Sequence, residues 1–358
     1  MIRPDTTRSG AARVLAFALL SPILAQLASA QSAAPASLSG VKTYLTGRLS
    51  VQAAGTAQFV KGADAYYALA RAAKFDYRRL SVNKAPVQAA LKQAREGWTR
   101  ASPVYEEVEG IVAGVGSLSR FDLILDAGTS GAQGGEDVVP FDLKLPSGKL
   151  LPRPGNLFGV AEGTLWNTVG SFSSGVAFDV DADGTLGFGD RLPDAGVLKA
   201  AAAELNRQTD ELRKAAAAWQ PTRSDVFGAL VGNVPTVGPV FFENWKTSRF
   251  VLGSVATRSD FVVISRLSDL SGNVASWEAM YRGLSAEVRG RNPQLDTLIA
   301  GGLKRLSAYV ARLSAQEKAR RFTPEQADTL QAEAQNRATA ITGQLTQAAA
   351  LLGVKVSE

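Results

Sequence analysis

The stretch AGVLKAAAAELNRQTDELRKAAAAW, residues 195–219, constrains the fold more than any other. Leu198, Ala201, Ala202, Leu205, Leu212, Ala216 and Trp219 recur at three- and four-residue steps and share one helical face. Alanine loses no side-chain entropy in a helix, so the rest of the segment supports the same reading. Pro221 stops it. The pattern repeats along the chain. Tyr44, Leu45, Leu49, Val51 and Phe59, then Tyr66, Tyr67, Leu69, Phe75 and Leu80, keep mixed three- and four-residue steps. Residues 81–86 break the run, and a helix opens at Pro86 and runs to 101. After Pro103 the pattern resumes over 104–115, and it returns over 157–169. Residues 222–254 read as a helix, a turn (VGNVPTVGP) and a second helix. Residues 259–288 read as one long or kinked helix, and Pro293 opens another to about Ser314. The last covers 323–354, with Thr323 as cap, Pro324 in the first turn and Gln326 at the capping-box position.

About eight helices with short links predict an all-α chain of two up-down four-helix bundles, 41–195 and 196–358. Alanine-rich faces allow close approach between helices. Gly, Pro and Asp crowd residues 129–156, a loop inserted in the first bundle. Within it VVPFDLKL and KLLP flank the turn PSGK and predict a small edge hairpin.

The N-terminus reads as a secretory signal over 1–30. Arg3, Arg8 and Arg13 precede an apolar run at 14–28, and Ala28-Ser29-Ala30 offers a cleavage site. The run is shorter than the roughly 20 residues of a membrane span. No cysteine follows it, so a lipoprotein anchor is excluded. A flexible leader, 31–40, comes next, and no later run resembles a transmembrane helix. These features predict a periplasmic or secreted protein that meets the membrane only through its signal. Cleavage lowers the net charge from +6 to +4, too mild for a dedicated nucleic-acid surface.

The chain has no cysteine and no histidine. That removes the Ser-His-Asp relay, the Cys-His pair and histidine-held zinc. A bound metal would have oxygen ligands only, which points to calcium, magnesium, iron or manganese. Acid–base chemistry falls to carboxylates, lysine or tyrosine. The densest acidic run is DVDADGTLGFGD, 179–190. Asp179, Asp181, Asp183, Gly184, Thr185 and Asp190 fit positions one, three, five, six, seven and twelve of a calcium loop. Asp at position twelve is shorter than the usual Glu, so a weak site of roughly 10⁻⁴–10⁻³ M is expected. The simpler reading is a connector whose aspartates cap local turns.

Three stretches, AREGWTRASPVYEEVEGIVAGVGSLSRFDLILDAG (94–128), NLFGVAEGTLW (156–166) with its following helix to AAAAW (215–219), and FVVISRLSDLSGNVASWEAMYRG (261–283), resemble in that order the imelysin-like family. That family includes the EfeO-like periplasmic iron-uptake components and imelysin-type peptidases. The resemblance spans roughly 41–352 and implies two four-helix bundles. The family's Gly-x-His-x-x-Glu motif aligns with LFGVAE, 157–162. Glu162 matches its glutamate, Leu157 stands at its glycine, and Gly159 stands at its histidine. The departure puts peptidase activity and family-style iron binding in doubt.

What remains is carboxylate. Glu106, Glu107 and Glu109 share one helix, where acids most simply form a solvated face. With Asp122 and Asp126 just beyond, any of them could approach Glu162 across the bundle; Glu107, Asp122 and Asp126 are the candidate cleft carboxylates. Arg266 and Asp269 read as a plain ion pair, and the five tryptophans as packing residues. The expectation is a non-catalytic extracytoplasmic protein that binds a small ligand or cation between two bundles, with iron within an envelope uptake system as the candidate and calcium as a structural ion. The alternatives are a carboxylate-metal peptidase or hydrolase and a structural envelope protein.

Overall fold

The computed structural model describes residues 38–356. The expected signal sequence lies outside the described residues. The expected leader overlaps the first helix, α1 (Ser39–Ala72). A short turn, α2 (Tyr77–Leu80), leads to α3 (Lys84–Gly114). The brief α4 (Ser119–Asp122) runs into a π-helical turn, Leu123–Ala127. Strands β1 (Leu143–Lys144) and β2 (Leu150–Leu151) pair antiparallel, as the PSGK turn predicts, and precede α5 (Leu157–Leu165). A second hairpin, β3 (Ser173–Ala177) with β4 (Arg191–Pro193), joins α5 to α6 (Ala195–Ala218). Then come α7 (Arg223–Asn233), a 3₁₀ turn, a π turn at Gly238–Phe242, and the short α8 (Glu243–Lys246) and α9 (Arg249–Leu252). Three long helices finish the fold: α10 (Arg266–Arg291), α11 (Pro293–Ala319) and α12 (Pro324–Leu351). The fold is all-α.

Helix α3 is the hub. It packs on α1 along one side and on α10 and α7 along others. Small residues set the spacing. A Cβ on Gly62 would strike the backbone of Ala94, and one on Gly97 the backbone of Phe59. A Cβ on Gly272 of α10 would lie 2.9 Å from the Cβ of Glu106. Apolar burial supplies the stabilisation: Leu45, Leu49 and Phe59 on α1 are fully buried, each contributing roughly 1.5–3 kcal/mol. Helix α6 begins at Ala195 and packs back on α1 and α5. Helix α7, after Pro221, packs on α3 and α12.

Four details differ from the sequence reading. Pro103 lies inside α3 without ending it, because Tyr105, Val108, Ile111 and Val112 continue the buried face beyond it. Residues 259–265 are not helical; Ser265 caps α10 by accepting the Leu267 N–H at 3.2 Å, so the helix starts at Arg266. The aspartate run lies at the end of a β-hairpin, which the sequence reading lacked. Residues 223–246 are apolar and long enough for a span by composition, but half of their 18-residue apolar window is buried within the protein.

Candidate functional site

Helix α5 starts where Asn156 caps it, accepting the Gly159 N–H at 2.7 Å. That fixes Glu162 two-thirds of the way along a short apolar helix, with 4% of its surface exposed. Its carboxylate accepts three consecutive backbone N–H groups. Phe261 donates to Oε2 at 3.0 Å, and Val262 and Val263 donate to Oε1 at 3.1 and 3.0 Å. Phe261 holds φ at +53°, a strained value for a bulky residue, and the turn aims the amides at one point. Burial pushes the Glu162 pKa up to about 7, against the pull of the Val263 and Val262 amides.

Beside this nest lie five more carboxyl groups from four elements: Glu106 and Glu109 on α3, Asp122 at the end of α4, Asp126 in the π turn, and Asp269 in the first turn of α10. Arg266 donates to Asp269 at 2.8 Å and to Glu106 at 3.4 Å. Its guanidinium lies between Phe241, 4.6 Å from the ring centre, and Phe261, 4.2 Å away. Asn273 donates to Glu106 at 3.0 Å and to Glu109. Tyr105 donates to Asp122 at 2.8 Å. Among the described residues, Arg266 is the one cation in ion-pair contact with these five.

The electrostatics follow from that imbalance. Burial is the first cause throughout. It raises Glu106 well above the carboxylate range, helped by Asp269. It raises Asp126 likewise, helped by Glu109. It lifts Asp122 to about 8, with Glu109 adding to it. Asp269 reaches only about 6, because Arg266 offsets its burial. Burial opposes the charge on Arg266, but Asp269, Glu106, Glu109 and Asp126 outweigh it and push its pKa further up.

Glu106, Glu109 and Asp126 each offer a carboxylate oxygen, all within 4.8 Å of one another. A cavity of about 40 Å³ is lined by Glu106, Asp126, Gly159, Glu162 and Asp269. A cleft of about 660 Å³ is lined by Glu109, Asp126, Asn156, Gly159 and Arg266 among others. Asp126 and Gly159 line both.

The family model for peptidase M75, described as imelysin, matches residues 40–349. The chain belongs to the imelysin family. No curated protein matches it. In this imelysin chain Gly159, where the resemblance expects histidine, lines both the small cavity and the larger cleft, and a Cβ there would meet the Asn156 side chain at 3.0 Å.

The structure brings together Glu162, Gly159, Asp122 and Asp126 from the expected set. Glu107 is not with them: it pairs with Arg48 of α1, and its backbone carbonyl accepts the Tyr44 hydroxyl. Glu106 and Glu109 do not form a solvated face; Glu106 is 3% exposed. Arg266 and Asp269 are a buried pair inside the acidic group. Sequence reasoning missed Tyr105, Asn273 and the amides of 261–263. The ISRLSD pair was visible as spacing, but nothing in the sequence marks its depth.

In the loop at 179–190, Asp179, Asp181 and Asp183 converge, with ligand atoms within 4.8 Å of one another. Asp179 accepts the Gly184 N–H at 3.1 Å, and Gly184 holds φ at +85°, as position six requires. Asp183 accepts the Thr185 N–H at 2.8 Å. Asp190 turns away from the three. It is buried and closes the loop by accepting N–H groups from Val180 at 3.0 Å and Gly187 at 2.7 Å. The hairpin is tied to α3, where Gln88 donates to the Asp179 carbonyl and Arg95 to the Gly189 carbonyl.

Proposed function

We propose that this imelysin-family protein is a non-catalytic extracytoplasmic binding protein. Its cargo is a hard cation, ferric iron first, held by Glu106, Glu109 and Asp126 within an envelope uptake system. One observation carries the reading: five buried or partly buried carboxyl groups share one arginine. Uncompensated charge of that sign in a low-dielectric site favours either protons or a bound cation. The donors are all oxygen, which suits a hard ion. The cavity among them exceeds the space one water needs. Glu162 does not serve as a general base in this reading, because both of its oxygens are engaged by amides.

Equilibrium dialysis against ferric nitrilotriacetate, with metal analysis, tests it. About one ferric ion per chain is expected. Affinity should fall roughly tenfold or more in the Glu109→Gln/Asp126→Asn double variant and hold in Asp181→Asn/Asp183→Asn. No iron in the wild type, or equal binding in both double variants, sinks the proposal. Casein cleavage abolished by Glu162→Ala would overturn its non-catalytic half and favour the peptidase.

A second reading concerns the hairpin loop. The convergence of Asp179, Asp181 and Asp183 around a left-handed Gly184 favours a structural calcium. With Asp190 used as a clasp, the ion would have fewer protein ligands than the twelve-residue pattern allows, hence weak affinity. Millimolar calcium should raise the Tm of the wild type and leave Asp183→Asn unchanged. Equal shifts in both chains would dismiss the loop.

A further inference from the structure

A second cavity, of about 560 Å³, lies between the end of α11, the α9 turn and Phe188 of the β3–β4 loop. Its charge is the reverse of the acidic group's. Arg249, Lys318, Arg320 and Arg321 line it, and Glu317 is its one acid. Glu317 is already engaged, accepting the Trp245 indole N–H at 2.5 Å and the Ser265 hydroxyl at 2.9 Å. Among the described residues none of the four cations has an ion-pair partner.

Two of the four have an ordinary explanation. Lys318 and Arg320 close α11, where a cation offsets the helix dipole. Arg249 is the first residue of α9 and Arg321 lies beyond the cap of α11, so the dipole does not account for them. The Arg249 guanidinium lies 3.7 Å from the centre of the Phe188 ring. Arg321 sits where Gly253 lacks a side chain: a Cβ there would collide with its guanidinium, and Gly253 holds φ at +66°. A ring positions one fork and a glycine the other. The two are near enough that Arg321, after burial, helps lower the Arg249 pKa. Holding like charges together costs free energy unless an anion joins them. Paired guanidinium forks match the oxygens of a phosphate or carboxylate bidentately. The volume suits a small molecule.

We propose that this pocket binds a small multivalent oxyanion of the phosphate type, with Arg249 and Arg321 as its two forks. Its lining includes Val262 and Val263, whose amides hold Glu162, but none of the cation ligands Glu106, Glu109 and Asp126. The same chemistry occurs free in solution and on a phospholipid headgroup, and the soluble anion is the occupant argued here, since Trp166, Phe188 and Phe250 line the pocket beside the two arginines.

Isothermal titration with sodium pyrophosphate at low ionic strength tests the proposal on the wild type, Arg249→Gln and Arg321→Gln. Binding should weaken roughly tenfold or more in each variant and should fall as salt rises. Arg249→Lys keeps the charge but loses the fork, and it should weaken binding as well. Thermal melts establish that each variant is folded; Arg321 is exposed, so its replacement leaves the core intact. Ferric binding should be unchanged in all three. No heat with millimolar pyrophosphate, or wild-type affinity in the variants, overturns the proposal. So does arginine-dependent sedimentation with phosphatidylglycerol vesicles that pyrophosphate does not compete away, which would assign the patch to a membrane surface.

Discussion

An oxygen of Glu162 and the amide N–H of Val263 meet at 3.0 Å across 101 residues of chain. Two neighbouring amides bind the same carboxylate. Glutamine at 162 would keep one acceptor oxygen but turn an NH₂ toward backbone donors. Glu162→Gln should therefore lower stability by about 1–3 kcal/mol in urea denaturation. Amide hydrogen exchange at Phe261, Val262 and Val263 should accelerate. Unchanged exchange there would show that another group holds the segment.

Asp269, Glu162 and Asp122 stand at about 6, 7 and 8, with burial the first cause in each. A carboxyl whose folded pKa is raised above its unfolded value binds more protons folded than unfolded. Its stabilisation is complete below the unfolded pKa of about 4 and is lost as pH rises through the folded pKa. The protein without added cation should therefore melt at a higher temperature near pH 5.5 than near pH 8.5. A Tm that is flat across this window would mean that the carboxyls are neutralised in another way.

Arg266 is the ion-pair partner of both Glu106 and Asp269. Arg266→Gln leaves buried acids without it, and breaking a buried pair from one side costs about 3–5 kcal/mol. Adding Glu106→Gln removes part of the repulsion, so the double variant should be more stable than the sum of the single effects implies. Strict additivity in that cycle would contradict a shared electrostatic group.

Gly97 and Gly47 give a paired test of the α1–α3 contact. A methyl at Gly97 would meet the Phe59 backbone, whereas nothing lies within 4 Å of one at Gly47. Gly97→Ala should lose about 1–3 kcal/mol through overpacking. Gly47→Ala, in the exposed face of α1, should be neutral or gain up to about 1 kcal/mol. Similar Tm shifts for both would refute the close approach.

Local physics made much of the fold legible. The capping box at Thr323 and Gln326 is present in both directions, and the PSGK hairpin forms in the expected place. The α6 stripe is buried as its spacing implies, at Leu198, Ala201, Ala202, Leu205, Leu212 and Ala216. The acidic site was only half legible. Glu162 stood out because it matches the glutamate of the family motif. Its partner is backbone, which carries no residue-type signature. Glu106 and Glu107 are neighbours in sequence, yet helical geometry sends one to Arg266 and the other to Arg48. Composition cannot separate them; only the placement of α1 and α10 around α3 does.

The π turns have a consequence for how such a site could change over generations. Leu123–Ala127 carries Asp126, and Gly238–Phe242 carries Phe241 against Arg266. A π turn is an α-helix with one residue too many. Losing a single codon within 123–125 would restore ordinary helix and swing what precedes or follows by about 100°. Asp126 could then leave the acidic group with every carboxyl still encoded. Deletion, more readily than substitution, would retune this pocket.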